Sequence, residues 1–193
     1  MSLKIDRKKD KRTVHALTHN LADIPNGVTV SAADLVAGGV IPEGGYIGVD
    51  AAGLFHLIKT AKLTEAATAT ATTYKVAKGH HFKPGDFIAT DAGAKSQTIT
   101  AIDSATDPTY DTITVDATLG AAVAAGAALV QASSAAAKAS FKWQPKACLG
   151  DAYLVEALSN HLCSAVTIGQ FKAATSAPAT PGLRAALPTV IFI

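Results

Sequence analysis

Residues 96–118, SQTITAIDSATDPTYDTITVDAT, carry the clearest structural signal in the chain. Two runs within them, SQTITAID at 96–103 and YDTITVDAT at 110–118, alternate β-branched residues with smaller or polar ones. Successive side chains of a strand point to opposite faces, so a period of two is typical of strands with one buried face. Between the runs, Asp107 and Pro108 favour a turn. The stretch therefore predicts a β-hairpin.

Working outward from the hairpin, the residues before it predict more strands. YKVAK at 74–78 reads as a strand with Tyr74, Val76 and Lys78 on one face, GHHFKPGD at 79–86 as a turn-rich connection, and FIAT at 87–90 as the next strand. In residues 64–73, TEAATATATT, Thr and Ala alternate, which is compatible with either a strand or a linker.

After the hairpin, residues 120–140 are ambiguous. Ala favours a helix, but Gly120 and Gly126 interrupt it, and a short strand at ALVQAS, 128–133, would close the preceding sheet. Both alternatives stay open at this point.

The N-terminal part is rich in turn signals, such as Pro25-Asn26-Gly27 and Gly38-Gly39. The short runs between them predict extended segments, and SAADLV at 31–36 a single helical turn capped by Ser31; the extended runs are VTV at 28–30, YIGV at 46–49 and LFHLIK at 54–59.

The C-terminal part predicts strands at FKWQPKACL, 141–149, and LCSAVTIGQF, 162–171. Thr180 followed by Pro181 is a typical helix start, so PGLRAAL is expected to be helical up to Pro188. TVIFI at 189–193 is uncharged and apolar, and we expect it to be docked as a strand and to contribute to a homo-oligomer interface.

These elements predict a mainly β protein: a small β-barrel or sandwich core, flanking β-rich segments and one or two short helices. The predicted divisions are a flexible basic arm at 1–12, a turn-rich extended segment at 13–63, a barrel-like domain at 64–132, a linker at 133–140 and a β-rich segment with a short helix at 141–193.

Composition limits the classes of function. Hydrophobic residues make up 49% of the 193 residues, but many of them are Ala, and aromatic residues are only 6% of the chain. The core is therefore expected to bury little apolar area for the length of the chain. The net charge is +2; the stretch KIDRKKDKR at 4–12 carries +4, which leaves −2 for the remainder. A duplex-binding domain needs clustered Lys and Arg on its folded face. The residues outside the 4–12 stretch lack such a cluster, so nucleic-acid binding is not expected.

Sequence features also bear on the compartment. Two cysteines, Cys148 and Cys163, do not make a disulfide framework, and we expect buried, reduced thiols. No apolar run follows the basic start, so no secretory signal is expected, and the Ala-rich window at 119–132 is too short to span a bilayer.

A search for catalytic and binding motifs yields no site. Neither a GxxxxGK[ST] nor a GxGxxG phosphate loop occurs, and no GxSxG nucleophile is present. His80 and His81 are adjacent, so on a strand they would face opposite ways, and we interpret them as turn residues that satisfy local backbone groups. His15 and His19 lack a third ligand, and the carboxylates around the hairpin are interpreted as turn-forming; these are Asp103, Asp107, Asp111 and Asp116. We therefore predict no catalytic, cofactor-binding or metal-binding residue, no cofactor and no enzymatic activity.

An ordered series of segments nevertheless resembles one family. The segments are IPNGVTV at 24–30, GLFHLIKTAKLTEAATATATTYKVAKGHHFKPGDFIAT at 53–90, ITAIDSATDPTYDTITVDATLGAAVAAGAALVQAS at 99–133 and ALPTVIFI at 186–193. Together they resemble the head fibre or capsid decoration proteins of tailed bacteriophages and prophages. The resemblance covers most of residues 24–193 and leaves the basic arm outside.

This resemblance implies a non-enzymatic structural protein located in the virion and assembled in the bacterial cytoplasm. Its expected partners are the major capsid protein and other copies of itself, with a homotrimer as the state that head fibres often have. No membrane partner is expected.

Two other classes remain as alternatives. A carbohydrate- or host-surface-binding β module would use Trp143, Tyr46, Tyr74 and Tyr110 as stacking platforms for a host-surface glycan. A hydrolase would need a concave polar cluster around His80, His81 or the Asp-rich hairpin, and its absence would set that class aside.

Overall fold

The structure, a computed structural model, describes residues 15–157 and 159–193, and its regular elements are almost all strands. Strands contain 41% of the residues and helix 3%, which confirms the predicted mainly β class. The elements are β1 (Leu17–Asp23), β2 (Val28–Val30), β3 (Val40–Ile41), β4 (Tyr46–Val49), β5 (Phe55–Leu57), β6 (Thr60–Lys62), β7 (Thr73–Ala77), β8 (Phe87–Ala89), β9 (Ser96–Asp103), β10 (Tyr110–Val115), β11 (Ala128–Ala132), β12 (Pro145–Leu149), β13 (Tyr153–Leu154), β14 (His161–Cys163), β15 (Ala165–Phe171), α1 (Pro181–Ala186) and β16 (Val190–Phe192).

The middle of the chain forms a six-stranded sheet in the order β6-β11-β8-β9-β10-β7. The predicted hairpin is β9 and β10, antiparallel, with Ile113 opposite Ile102. A bridge between Leu63 and Val76 links the two outer strands, and the sheet curls into a half-barrel. The strand alternative for residues 128–133 is confirmed, because β11 pairs with both β6 and β8.

Alternation along these strands fills the half-barrel with one apolar cluster. On β7, Tyr74 and Val76 point inward and are buried, as their predicted common face requires. They pack with Ile88, Ile99 and Ile113 from the neighbouring strands. Apolar burial of this kind is the main stabilising contribution in such a small sheet.

Strands from residues 17–57 and 145–192 together form an eight-stranded sheet, in the order β1-β15-β12-β4-β5-β2-β14 with β16 beside β15. Strands β3 and β13 form a separate two-stranded ribbon. At Gly48 of β4 a Cβ would lie 2.5 Å from the Gln144 carbonyl oxygen, so only glycine allows the approach of the segment before β12.

The C-terminal predictions for the helix and the last strand are confirmed. Thr180 has an extended backbone, and its Oγ1 accepts a hydrogen bond from the Leu183 amide, so it is the N-cap of α1. Strand β16 pairs in parallel with β15. Phe192 stacks on Tyr46 and on Phe171, with ring centroids 5.8 and 5.6 Å away. The apolar end of the chain is therefore docked.

Several local expectations were wrong in detail. SAADLV at 31–36 forms turns without a helix. For residues 64–73 the strand alternative is excluded, because residues 64–72 form turns and bends with one bridge, Ala67 to Val123, and β7 begins at Thr73. In 141–149 only β12 is a strand, because Phe141 makes a separate bridge to Ala132. Residues 162–171 are split between β14 and β15, since the Ser164 amide turns away to donate to the Tyr153 hydroxyl.

The half-barrel and the eight-stranded sheet share a third apolar cluster. It brings Val130 of β11 and Ile58 against Tyr46, Cys148 and Leu183. The basic arm predicted at 1–12 lies outside the described residues, and the division into domains stays a prediction. Within the described residues, no helix is long and apolar enough to cross a bilayer.

Candidate functional site

A cavity of about 240 Å³ lies where the half-barrel meets the eight-stranded sheet. Three segments supply most of its lining, and Pro42 and Gly45 complete it; the segments are 57–62, 77–81 and 176–178. The first segment joins the two sheets directly, since β5 belongs to one and β6 to the other. Ligand sites commonly lie at such junctions, so this cavity is the candidate site.

Lys59 lies in the connection between β5 and β6, and its side chain is only 2% exposed. Its Nζ donates to Asp86 Oδ2 at 2.7 Å. Asp86 also accepts from the Gln131 side chain at 3.2 Å and from the Lys83 amide at 2.9 Å. Burial lowers the pKa of Lys59, while the Asp86 carboxylate opposes that shift.

A second ion pair lies on the other side of the connection 78–81. Lys78 Nζ donates to Asp111 Oδ1 at 2.7 Å and to the Ser104 carbonyl at 2.9 Å. His80 Nε2 lies 3.2 Å from Asp111 Oδ2, an ion-pair distance without hydrogen-bond alignment. Burial lowers the pKa of His80, with Asp111 acting in the opposite direction. These residues line a groove of about 400 Å³ next to the cavity.

His81 joins the half-barrel to the ribbon. Its Nδ1 accepts from the Val36 amide at 3.2 Å, and its Nε2 lies 2.9 Å from the Val40 carbonyl. The ring is therefore the Nε2–H tautomer, because an amide donor at Nδ1 leaves no room for a proton there. Burial lowers the pKa of His81, which favours this neutral form.

The interpretation as turn residues that satisfy local backbone groups is confirmed for His80 and wrong for His81. His80 Nδ1 accepts from the nearby Phe82 amide, whereas the groups bound by His81 belong to a segment about forty residues away. The described residues do contain a concave polar cluster around His80 and Asp111, so the criterion for setting a hydrolase aside is not met. Both nitrogens of His81 and one of His80 are engaged by the protein itself, which does not favour proton transfer to a substrate.

Two of the four hairpin carboxylates form turns as predicted. Asp103 and Asp107 accept from Thr106 and Thr109, and these hydroxyl groups hold the pKa of each carboxyl below its usual value. Asp116, which follows β10, instead accepts from the Thr98 amide across the hairpin. Asp111 was wrongly grouped with them: it lies within β10, points inward and pairs with Lys78.

The cysteines are free and buried, as predicted. Burial raises the pKa of Cys163 to about 11 and that of Cys148 further, which disfavours the reactive thiolate. Across residues 15–157 and 159–193, no three His, Cys, Asp or Glu side chains are arranged to hold a metal ion. His15 Nδ1 lies 3.6 Å from Glu43 Oε2, and the His19 side chain is exposed on β1.

The four aromatic platforms considered for glycan binding are mostly covered. Tyr46 and Tyr74 are each 1% exposed. Trp143 is half-buried and stacks on His56, with ring centroids 4.2 Å apart. Tyr110 is half-buried with Lys75 Nζ 4.9 Å from its ring centroid. This covering weakens the carbohydrate-binding alternative.

The cluster of Lys59, Asp86 and Gln131 was not predicted from the sequence. The one available signal was a lysine inside the apolar run LFHLIK, where a strand side chain is expected to be buried and therefore to need a partner. That signal points to Lys59 but not to Asp86, which is 27 residues away.

Comparison with known proteins adds no relative: no protein-family model, curated protein or solved structure matches this chain.

Proposed function

We propose that this protein is a non-enzymatic structural component of a phage particle, a head fibre or capsid decoration protein bound to the major capsid protein. The observation that carries the proposal is the ordered series of segments between residues 24 and 193 that resembles that family. The series spans both sheets, so the proposal concerns the chain as a whole and not one loop.

The surface chemistry is compatible with a protein that works by docking. Leu21, Ile168, Ile191 and Ile193 are exposed large apolar residues on or next to the neighbouring strands β1, β15 and β16. The strand register places Ile168 and Ile191 on one outer face, because Ile191 is paired with Gln170, two residues from Ile168. Exposed apolar side chains on one face favour protein–protein contact.

The charged residues that line the cavity and the neighbouring groove support the same proposal. Lys59 and Lys78 have carboxylate partners within the protein, and His81 holds two segments together. These contacts connect structural elements, which is the role expected of polar residues in a particle protein that must remain folded outside the cell.

The test is the composition of purified particles of the parent phage. We expect this chain in gradient-purified virions at a copy number set by the capsid lattice, measured by quantitative mass spectrometry. A phage replication enzyme from the same lysate is the control for contamination. The absence of the chain, or an amount equal to that of the control enzyme, would overturn the proposal.

The carbohydrate-binding module is the second candidate, and the half-buried Trp143 is the residue on which it depends. Glycan-array binding that is lost in Trp143→Ala but kept in Tyr153→Phe would favour this alternative. Binding to no glycan would leave the particle protein as the better proposal.

A further inference from the structure

The lining of the 240 Å³ cavity combines apolar walls with positive charge. Among the apolar contributors are Leu57, Ile58, Ala61, Ala77 and Pro178. The charged contributors are Lys59, Lys62 and Lys78, and none of the described lining residues is Asp or Glu. The partners of Lys59 and Lys78, Asp86 and Asp111, are not among the lining residues.

Lys59 has hydrogen-bonding capacity that the protein leaves unused. An ammonium group carries three N–H donors. In the described part of the chain, Lys59 Nζ makes one hydrogen bond, to Asp86 Oδ2, although its side chain is 2% exposed. Lys59 lines the cavity, so its remaining N–H groups are available to an acceptor on a molecule bound there.

Lys62 adds charge at the same site. It is exposed at the end of β6, lines the cavity and forms no ion pair with the described residues. Its charge is therefore not neutralised locally, in contrast to the charges of Lys59 and Lys78.

The cavity is large enough for more than solvent. One water needs about 10–15 Å³ of such space, and the cavity offers about 240 Å³. An apolar lining with a few convergent polar groups is typical of small-molecule sites.

We propose that this cavity is a binding site for a small amphiphilic anion, with the apolar body between the two sheets and an anionic oxygen headgroup at Lys59 and Lys62. Because both sheets line the cavity, a bound molecule would hold them together and raise the stability of the folded chain. The inference does not depend on the proposed function.

The experiment compares octanoate with 1-octanol, which has the same chain length and no charge. We expect saturable octanoate binding by isothermal titration calorimetry with one site per chain, a rise in melting temperature, and at least tenfold weaker binding of 1-octanol. Octyl phosphate, with a different anionic headgroup, is expected to bind like octanoate.

Three variants locate the site. Lys62→Glu changes an exposed residue and is expected to weaken octanoate binding at least tenfold while leaving 1-octanol binding unchanged. Ala77→Phe fills the cavity and should abolish binding of both molecules. Lys95→Glu changes an exposed lysine that lines neither cavity, and it should bind octanoate like the parent protein.

Two results would overturn the proposal. One is the absence of saturable octanoate binding at millimolar concentration to a parent protein that melts cooperatively. The other is octanoate binding that is weakened equally by Lys62→Glu and Lys95→Glu, since that would reflect general surface charge.

Discussion

Lys59 illustrates how one buried charge constrains its surroundings. Its side chain is almost fully buried, and Asp86 is its one ion-pair partner among the described residues. Removing water from an ammonium group is costly, and the cost is offset only while the counter-charge remains in place. Asp86 additionally holds the Lys83 amide and the Gln131 side chain, so the loop before β8 and strand β11 depend on the same carboxylate.

Asp86→Asn is therefore expected to destabilise the protein by about 3–5 kcal/mol, because it leaves the Lys59 charge buried without a counter-charge. The free energy of unfolding from urea denaturation is the measurement. Adding Lys59→Met to Asp86→Asn should recover part of the loss. The control is Glu65→Gln, which breaks the exposed pair with Lys75 and should cost less than about 1 kcal/mol. Equal losses in Asp86→Asn and Glu65→Gln would contradict the expectation.

His81 gives the protein a defined pH dependence. Its pKa in the folded state is lowered from 6.5, mainly by burial, with Lys59 and Lys83 also opposing protonation. The unfolded chain therefore binds a proton more readily, and folding stability falls as pH decreases below about 6.5. Above that pH the stabilisation is fully present. His80, also buried with a lowered pKa, contributes in the same direction despite Asp111 beside it.

His81→Gln should reduce the slope of unfolding free energy against pH between pH 5 and 7 without reversing its sign, because His80 still titrates. Urea denaturation at several pH values measures the slope. His19→Gln changes an exposed imidazole on β1 and serves as the matched control. An identical slope in parent and His81→Gln protein would show that protonation of His81 is not coupled to folding.

At the level of elements, local patterns were sufficient where neighbouring residues determine the structure. The β9–β10 hairpin follows from alternation and an Asp-Pro turn, and α1 follows from a Thr-Pro start. The Thr/Ala stretch at 64–73 shows the limit of this reasoning: small side chains in alternation carry little burial energy, so the surrounding sheet determined the local turns. The cluster of Lys59, Asp86 and Gln131 could not be predicted, because these residues come together only through strand pairing.

Helix α1 has only six residues, too few to be stable alone. Asp91, in the loop between β8 and β9, accepts from Thr180 Oγ1 and from the Gly182 amide, both at 2.7 Å. The first turn of the helix is thus held by the half-barrel. A Cβ at position 182 would displace the Asp91 carboxylate from this position.

Asp91→Ala and Thr180→Ala are each expected to reduce the free energy of unfolding by about 0.5–2 kcal/mol, the usual range for loss of an N-cap. Because the two side chains share one hydrogen-bond network, the double variant should lose less than the sum of the single losses. Urea denaturation of the four proteins measures this coupling. Asp151→Ala, at an exposed position outside this network, is the control. Strict additivity would contradict a shared clamp on the helix.

At the scale of the whole molecule, the first and last parts of the chain meet in one sheet. Strand β15 pairs with β1 on one side and with β12 and β16 on the other. The C-terminal residues have two kinds of environment as a result. Phe192 points into the third apolar cluster, whereas Ile191 is 57% exposed on the outer face. Docking of the segment therefore depends on Phe192, and we expect contact with another copy to depend on the exposed Ile191.

Because docking and exposure involve different residues, the predicted homo-oligomer interface can be tested separately from docking of the segment. Deletion of residues 189–193 removes the ring that covers Tyr46 and Phe171, so we expect insoluble or lower-order protein with a reduced melting temperature. Ile191→Lys keeps Phe192 in place and should leave the melting transition of the protomer cooperative. Self-association through this face would bury the lysine charge, so the substitution should disfavour it.

Light scattering after size-exclusion chromatography measures the mass of each variant. We expect a lower mass for Ile191→Lys and for Ile168→Lys, which lies on the same outer face, and an unchanged mass for Leu162→Lys on β14 at the opposite edge of the sheet. This pattern follows because only the first two substitutions place charge on the face shared by β15 and β16. If the parent is an oligomer and both isoleucine variants keep its mass, the interface lies elsewhere on the molecule.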